Sequence, residues 1–152
     1  MTNHVKMLVD CDPGHDDAFA LIVASQFADV IGVTTVAGNA PLSLTTKNAR
    51  VVLDLCGCGA PLHSGAARPL VAEPIHAAYV HGESGLEGAV LPAPSRPADG
   101  IDAVHFIIDT VRTNPDLWLV PTARSPILRW PCVPHPIWPS ASLASRSWVA
   151  GA

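Results

Sequence analysis

Alternating strand-like and helix-like segments over residues 1–122 constrain the fold of this 152-residue chain more than any other feature. Short runs rich in β-branched residues predict four strands, and longer segments with apolar residues at helical spacing predict three helices. The predicted order is strand 5–10, helix 16–27, strand 30–36, helix 42–55, strand 60–63, helix 102–113 and strand 117–120. This alternation is typical of an α/β fold with a parallel sheet and helices on its faces.

The expected place for chemistry follows from this topology. Parallel sheets bind ligands beyond the carboxyl ends of their strands. Three such ends carry polar or turn-forming residues, at 10–12, 37–39 and 121–122. Residues 64–100 are rich in glycine and proline and predict a long loop, and a loop of that length in a compact domain is usually functional or covers a site.

Composition excludes several classes of protein. The net charge of −4 provides no basic field for nucleic acid. No apolar run approaches the ~20 residues that a membrane helix needs, and the N-terminus does not resemble a signal peptide. The four cysteines form no C-x-x-C pair, so neither a zinc site nor a disulfide framework is indicated. We therefore expect a cytoplasmic protein with no nucleic-acid or membrane partner.

The composition changes after residue 122. All thirteen acidic residues lie at or before Asp116, whereas residues 123–152 hold three arginines and no acid. The same stretch contains three of the four tryptophans and five of the fifteen prolines, and it has neither helical nor strand periodicity. It is either a Pro-rich tail or a segment that was never selected to fold with residues 1–122.

The densest chemical signal is the segment Asp-Cys-Asp-Pro-Gly-His-Asp-Asp at residues 10–17. Asp16 and Asp17 suit the first turn of a helix, where the dipole favours acids, but Asp10 and Asp12 precede the turn. Like charges this close raise one another's pKa unless something neutralises them. A hard divalent cation, Ca²⁺ or Mg²⁺, accounts for the whole cluster.

The cysteine and histidine residues carry weaker signals. Cys11 alternates with Asp10 and Asp12 in an extended segment, so we expect it in a different layer, packed as a small hydrophobe. His15 lies within the turn and is expected to be exposed. The remaining histidines without a partner at metal-motif spacing, for which we expect no role at the site, are His4, His63, His76 and His105.

The segment at residues 10–18 resembles the N-terminal signature of the inosine-uridine preferring nucleoside hydrolases. Three further segments resemble the family in the same order: Val-Thr-Thr-Val-Ala-Gly-Asn at 33–39, Val-His-Gly-Glu-Ser-Gly at 80–85 and Leu-Val-Pro-Thr at 119–122. The resemblance covers residues 5–122. It implies a Rossmann-like nucleoside hydrolase fold of which this chain holds only the first strands and helices.

The resemblance also implies a reaction, the hydrolysis of the N-glycosidic bond of ribonucleosides to ribose and free base in nucleoside salvage. It implies that Asp12, Asp17 and the backbone carbonyl of Thr122 hold Ca²⁺ (Mg²⁺ being the less favoured ion), which acidifies a water. Asp12 would then take the proton of that water. Asp16 and Asn39 would grip the ribose hydroxyls.

Two more residues receive roles by resemblance. Asp10 resembles a supporting acid behind the metal ligands. His81 is expected near the bound substrate, with a structural role favoured over a chemical one. The family's full-length members are expected to be homo-oligomers.

The resemblance stops at Thr122, where the family continues Gly-Pro-Leu-Thr-Asn-Ile. If one base is lost at this codon, the shifted frame of residues 122–128 permits those six residues in order, and a second family segment is permitted at 146–150. We therefore interpret residues 123–152 as a frameshifted tail. Because the later metal- and ribose-binding parts are then missing, we expect no hydrolase activity from the chain as written.

Two other functions stay open on the sequence. Asp-x-Asp after a first strand also occurs in haloacid-dehalogenase-like phosphatases, where one Asp is a nucleophile. That family expects Gly-Thr after the second Asp, and here Pro13 and Gly14 follow. The other alternative is a non-catalytic remnant that binds Ca²⁺ or ribose.

Overall fold

The computed structural model of the protein describes residues 4–69 and 76–123. The predicted α/β class is confirmed: the described strands form a parallel sheet in the order β3-β2-β1-β4. The elements in chain order are β1 (Lys6–Cys11), α1 (His15–Phe27), β2 (Asp29–Thr35), α2 (Leu42–Leu55), β3 (Leu62–Ser64), α3 (Ala78–His81), α4 (Ala103–Thr113) and β4 (Trp118–Pro121). Of residues 123–152, which we interpret as a frameshifted tail, only Ala123 is among the described residues.

The register of the sheet brings the three expected strand ends together. β1 lies between β2 and β4, and Asp10 is opposite Thr34 in β2 and Pro121 in β4. A register shift between Met7 and Leu8 marks an irregularity at the other end of β1. The residues that follow β1, β2 and β4 therefore emerge side by side at one edge of the sheet.

The two faces of the sheet carry separate apolar clusters. One lies beneath α1 and α2 and is formed by Val9, Cys11, Ala18, Leu21, Ala24, Val33, Ala49, Val52, Leu53, Leu62 and Leu86. The other lies beneath α4 and is formed by Leu8, Val36, Ala103, Ile107, Val111, Leu117 and Leu119. Cys11 is fully buried in the first cluster, as its alternation with the neighbouring aspartates predicts.

The bounds of α2, Leu42–Leu55, are those predicted from the sequence. The helix begins after Pro41, without a side-chain cap. The Thr45 hydroxyl instead donates to the Val36 carbonyl at 2.9 Å. At the other end, Gly57 lies just beyond the helix and adopts a left-handed φ of 65°.

The predicted long loop contains one short element that the sequence does not reveal, the four-residue helix α3. Farther along, the loop is held by an ion pair: the guanidinium of Arg50 in α2 contacts the partly exposed Asp99 carboxylate, which also accepts from the backbone N–H of Leu62. The arginine side chain is only 2% exposed. This pair fastens the loop end to α2 and β3.

An apolar groove of about 390 Å³ runs between α1 and the β1–β4 side of the sheet. On α1 its walls include Phe19, which is 70% exposed, and Phe27, which is 75% exposed. None of the described helices is long and apolar enough to span a membrane.

Candidate metal- and ribose-binding site

Asp12 and Asp17 are the centre of the site. Asp12 leaves the end of β1 and Asp17 lies in the first turn of α1, so the turn between them folds one carboxylate back toward the other. The backbone N–H of Asp12 donates to Asp17 Oδ2 at 3.1 Å. Their side chains are almost fully buried, with residue exposures of 8% and 3%.

Burial perturbs the pKa of both carboxyl groups. It raises the pKa of Asp12 to about 7, and the nearby charge of Asp17 adds to the rise while the Asn39 backbone N–H opposes it. Burial also raises the pKa of Asp17, against hydrogen bonds from Thr122 and the Asp12 backbone. Two acids held this way favour an arriving positive charge.

Asn39, just beyond β2, fixes the Asp12 carboxylate. Its backbone N–H donates to Asp12 Oδ2 at 2.7 Å, and its side-chain amide donates to the Asp12 carbonyl at 2.9 Å. Gly38 is required beside it, since a Cβ at that position would overlap the Asp12 carboxylate. The second strand end therefore holds Asp12 in one orientation.

Asp10 and Thr122 connect β1 to β4 behind the pocket. Asp10 is fully buried, and its Oδ1 accepts from the Thr34 hydroxyl at 2.6 Å. Its carbonyl accepts from the backbone N–H of Thr122 at 2.8 Å. The Thr122 hydroxyl donates to the same carbonyl at 3.3 Å. Asp10 does not line the pocket, in keeping with a supporting place.

Asp16 and His81 form the outer part of the site. Asp16 is 77% exposed on the first turn of α1, and the His81 side chain, at the end of α3, is 12% exposed. His81 Nε2 lies 3.9 Å from Asp16 Oδ1, which is longer than a hydrogen bond. Both residues face the same open space.

One pocket of about 580 Å³ collects these residues. It is lined by Asp12, Asp16, Asp17, Asn39, His81 and Thr122, all of which were predicted from the sequence as site residues. From the predicted loop, the pocket is also lined by Pro69, His76, Ala77, Tyr79 and Val80.

Part of the pocket wall was not predicted from the sequence. No role is expected there for His76, yet it lines the pocket and its Nδ1 lies 3.0 Å from the Gly38 carbonyl oxygen. Tyr79 and Val80 of α3 also line the pocket and are largely exposed. α3 could not be predicted, because the segment 77–81 is too short to show a helical period.

The donor set suits a hard cation. Asp12, Asp17 and Thr122 offer only oxygen atoms, the ligand type that Ca²⁺ and Mg²⁺ prefer. Within residues 4–69 and 76–123, no three His, Cys, Asp or Glu side chains are grouped as a metal site. Two carboxylates alone fall short of the 6–8 oxygens of Ca²⁺, so further ligands would have to come from backbone, water or substrate.

Comparison with known proteins agrees with this geometry. The sequence model of the inosine-uridine preferring nucleoside hydrolase family matches residues 7–125. An uncharacterized protein of Schizosaccharomyces pombe is 52% identical over 113 residues, covering 72% of this chain and 36% of that protein. The pyrimidine-specific ribonucleoside hydrolase RihB of Escherichia coli is 40% identical over 119 residues, covering 76% of this chain and 38% of the enzyme.

Solved structures show the same relationship. The purine-preferring ribonucleoside hydrolase from Gardnerella vaginalis superimposes with a TM-score of 0.68 at 29% identity, covering 78% of this chain and 40% of that one. A plant nucleoside hydrolase gives a TM-score of 0.68 at 30% identity. The chain thus spans about two fifths of the length of these relatives. The match over most of its own length shows that it belongs to the inosine-uridine preferring nucleoside hydrolase family.

Proposed function

We propose that the described residues form the cation- and ribose-binding part of a ribonucleoside hydrolase site. The observation that carries this proposal is the convergence of Asp12, Asp17 and Asn39 in one pocket at the carboxyl edge of the sheet. The named relatives support the substrate class, since those with a stated activity are ribonucleoside hydrolases. These matches do not favour the phosphatase alternative.

The cation in this proposal is Ca²⁺, held by Asp12, Asp17 and the backbone carbonyl of Thr122. The support is physical: two carboxylates are buried side by side, and burial has raised the pKa of both. When bound, such an ion neutralises the pair and acidifies water at the site.

Asp12 is proposed as the general base. Asn39 holds one of its oxygens, Oδ2, through a 2.7 Å hydrogen bond, which fixes the direction in which the carboxylate accepts a proton. In the overall reaction the oxygen of water bonds to the anomeric carbon, and the bond from that carbon to the base nitrogen breaks. The proton lost by water goes to Asp12, and the departing nucleobase takes up a proton as it leaves.

Asp16 and Asn39 are proposed to bind the ribose hydroxyls. The Asp16 carboxylate is exposed on the pocket rim, where it can accept a hydrogen bond from a ribose hydroxyl. The Asn39 side chain also lines the pocket. Hydroxyls are donors that a carboxylate accepts strongly.

The binding proposal is tested by calorimetric titration of ribose and inosine into the 152-residue polypeptide in the presence of Ca²⁺. We expect Asp16→Asn to weaken ribose binding by about tenfold, the order of a charged hydrogen bond. Asp109→Asn is the matched control, since Asp109 is a comparably exposed helical acid, 73% against 77%. Equal ribose affinity in the parent and Asp16→Asn would contradict the role of Asp16.

Turnover is tested separately. We propose that this polypeptide binds without measurable hydrolysis, because residues 123–152 supply no carboxylate for the rest of the site. Purified polypeptide that releases ribose from inosine or uridine would refute this. Ca²⁺ and ribose binding without turnover would agree with it, and absence of both would refute the binding site.

We propose further that the reading frame shifts at codon 122, so that residues 1–122 are family sequence and 123–152 are not. The end of the family match at residue 125 supports this. The test is the nucleotide sequence: the shifted frame should encode Gly-Pro-Leu-Thr-Asn-Ile after codon 122. A shifted frame that encodes other residues or a stop would contradict the proposal.

The cytoplasm is the proposed compartment. Within the described residues, Cys11, Cys56 and Cys58 are unpaired thiols, which suits a reducing environment. Labelling of cell fractions with an antibody to the chain tests this, and recovery from a secreted fraction would contradict it.

A further inference from the structure

His15 and His81 are in contact beside the pocket, although 66 residues separate them in the chain. His15 Nδ1 lies 3.2 Å from His81 Nδ1, and the backbone N–H of His15 donates to the same His81 nitrogen at 3.4 Å. The two ring centroids are 5.4 Å apart. His81 Nδ1 is therefore engaged by His15, and Nε2 is the nitrogen that lies toward Asp16.

A neutral His15 ring carries one N–H, so it donates either to Glu87 through Nε2 or to His81 through Nδ1, whereas the backbone N–H of His15 donates to His81 in either tautomer. His15 Nε2 lies 3.1 Å from the backbone carbonyl oxygen of Glu87, which can only accept a hydrogen bond. The backbone of the preceding residue, Gly14, also lies close to His81: a Cβ at Gly14 would be 2.9 Å from the His81 ring. His15 thus links the start of α1 to the segment 81–87.

The orientation of His81 matters for what the pocket presents to a ligand. Turning the ring by 180° would place carbon atoms where Nδ1 and Nε2 now lie. His15 would then lose its partner, and a carbon would face Asp16 instead of a nitrogen. In the observed orientation, a hydroxyl between Nε2 and Asp16 Oδ1, which are 3.9 Å apart, can reach both groups.

We propose that His15 is a positioning residue that holds the His81 ring with Nε2 toward Asp16, so that both can contact a hydroxyl of the ribose. The contact with ribose rests on the proposed function, whereas the orientation of the His81 ring does not. His15 itself does not line the pocket and acts through His81.

The ring orientation is tested by NMR of histidine side chains in the metal-free 152-residue polypeptide, with the His81 signals assigned through His81→Gln. His15→Ala should shift or broaden the His81 ring signals because the ring can turn. His15→Asn keeps a polar group near the position of Nδ1 and should restore them. His105→Ala, at a ring 77% exposed on α4, is the control and should leave them unchanged. Unchanged His81 signals in His15→Ala would overturn the proposal.

Ribose titration in the presence of Ca²⁺ tests the consequence. His15→Ala should weaken ribose binding by about tenfold, equivalent to about 1.4 kcal/mol, while His15→Asn retains most of the affinity. Equal weakening in both variants would indicate a general structural defect and contradict positioning. If the parent itself does not bind ribose, the proposed function fails, and the NMR comparison still decides whether His15 holds the ring.

Discussion

Replacing Asp12 by Asn should stabilise the metal-free protein at alkaline pH. Asp12 is buried beside Asp17, and its folded-state pKa is raised from 3.8 to about 7. The folded protein therefore binds more protons than the unfolded chain between these values. The free energy of unfolding falls as pH rises through this window, and the full penalty is present above pH 7.

The magnitude follows from the size of the shift. About three pKa units at 1.36 kcal/mol each give an upper limit of about 4 kcal/mol. Asp12 titrates together with Asp17 and faces an open pocket, so shared protons and solvent screening reduce the expected effect to about 1–2 kcal/mol. An Asn at this position keeps an oxygen for the Asn39 N–H, and the backbone N–H of residue 12 still donates to Asp17.

The assay is urea unfolding followed by circular dichroism in EDTA at pH 4 and pH 8. Asp12→Asn should exceed the parent in free energy of unfolding by about 1–2 kcal/mol at pH 8 and by much less at pH 4. Asp29→Asn, at an exposed carboxylate that starts β2, is the control and should show no such difference. If Asp12→Asn is no more stable than the parent at pH 8, a destabilising burial of the ionised Asp12 carboxylate is refuted.

Two further substitutions test the site and the core. Gly38→Ala should abolish Ca²⁺ binding, measured by calorimetry, because its Cβ would overlap the Asp12 carboxylate, whereas Gly59→Ala meets no atom within 4 Å and should bind normally. Equal binding in the two variants would refute the close packing. Leu53→Ala should lower the free energy of unfolding by about 2–5 kcal/mol, and Leu55→Ala by less than about 1 kcal/mol. Leu53 is 0% exposed and Leu55 63%, so equal losses in urea unfolding would contradict the described core.

The strands and longer helices could be predicted because their apolar patterns reflect burial on the faces of a sheet. α4 is an example: it was expected at 102–113 and spans Ala103–Thr113, with Asp102 accepting from the backbone N–H of His105 at its start. α3 could not be predicted, since four residues make about one turn and carry no period. Its position depends on loop packing against the pocket.

The site was predictable where it depends on topology. Asp12, Asn39 and Thr122 follow β1, β2 and β4, and adjacent parallel strands must bring those positions to one edge. The exposure of His15 was also predicted, and it is exposed. Its contact with His81 was not predicted, because the contact depends on how the loop returns to α1, and no local pattern records that.

The central claim is that Asp12 and Asp17 form a divalent-cation site, and direct titration tests it. Isothermal calorimetry of Ca²⁺ into the EDTA-stripped 152-residue polypeptide should show one site per chain. Asp17→Asn should weaken binding by at least about tenfold, because it removes a carboxylate ligand while keeping the shape of the side chain. Asp116→Asn, at an exposed carboxylate before β4, should bind like the parent. A parent that binds neither Ca²⁺ nor Mg²⁺, or an Asp17→Asn variant that binds Ca²⁺ equally well, would contradict the account.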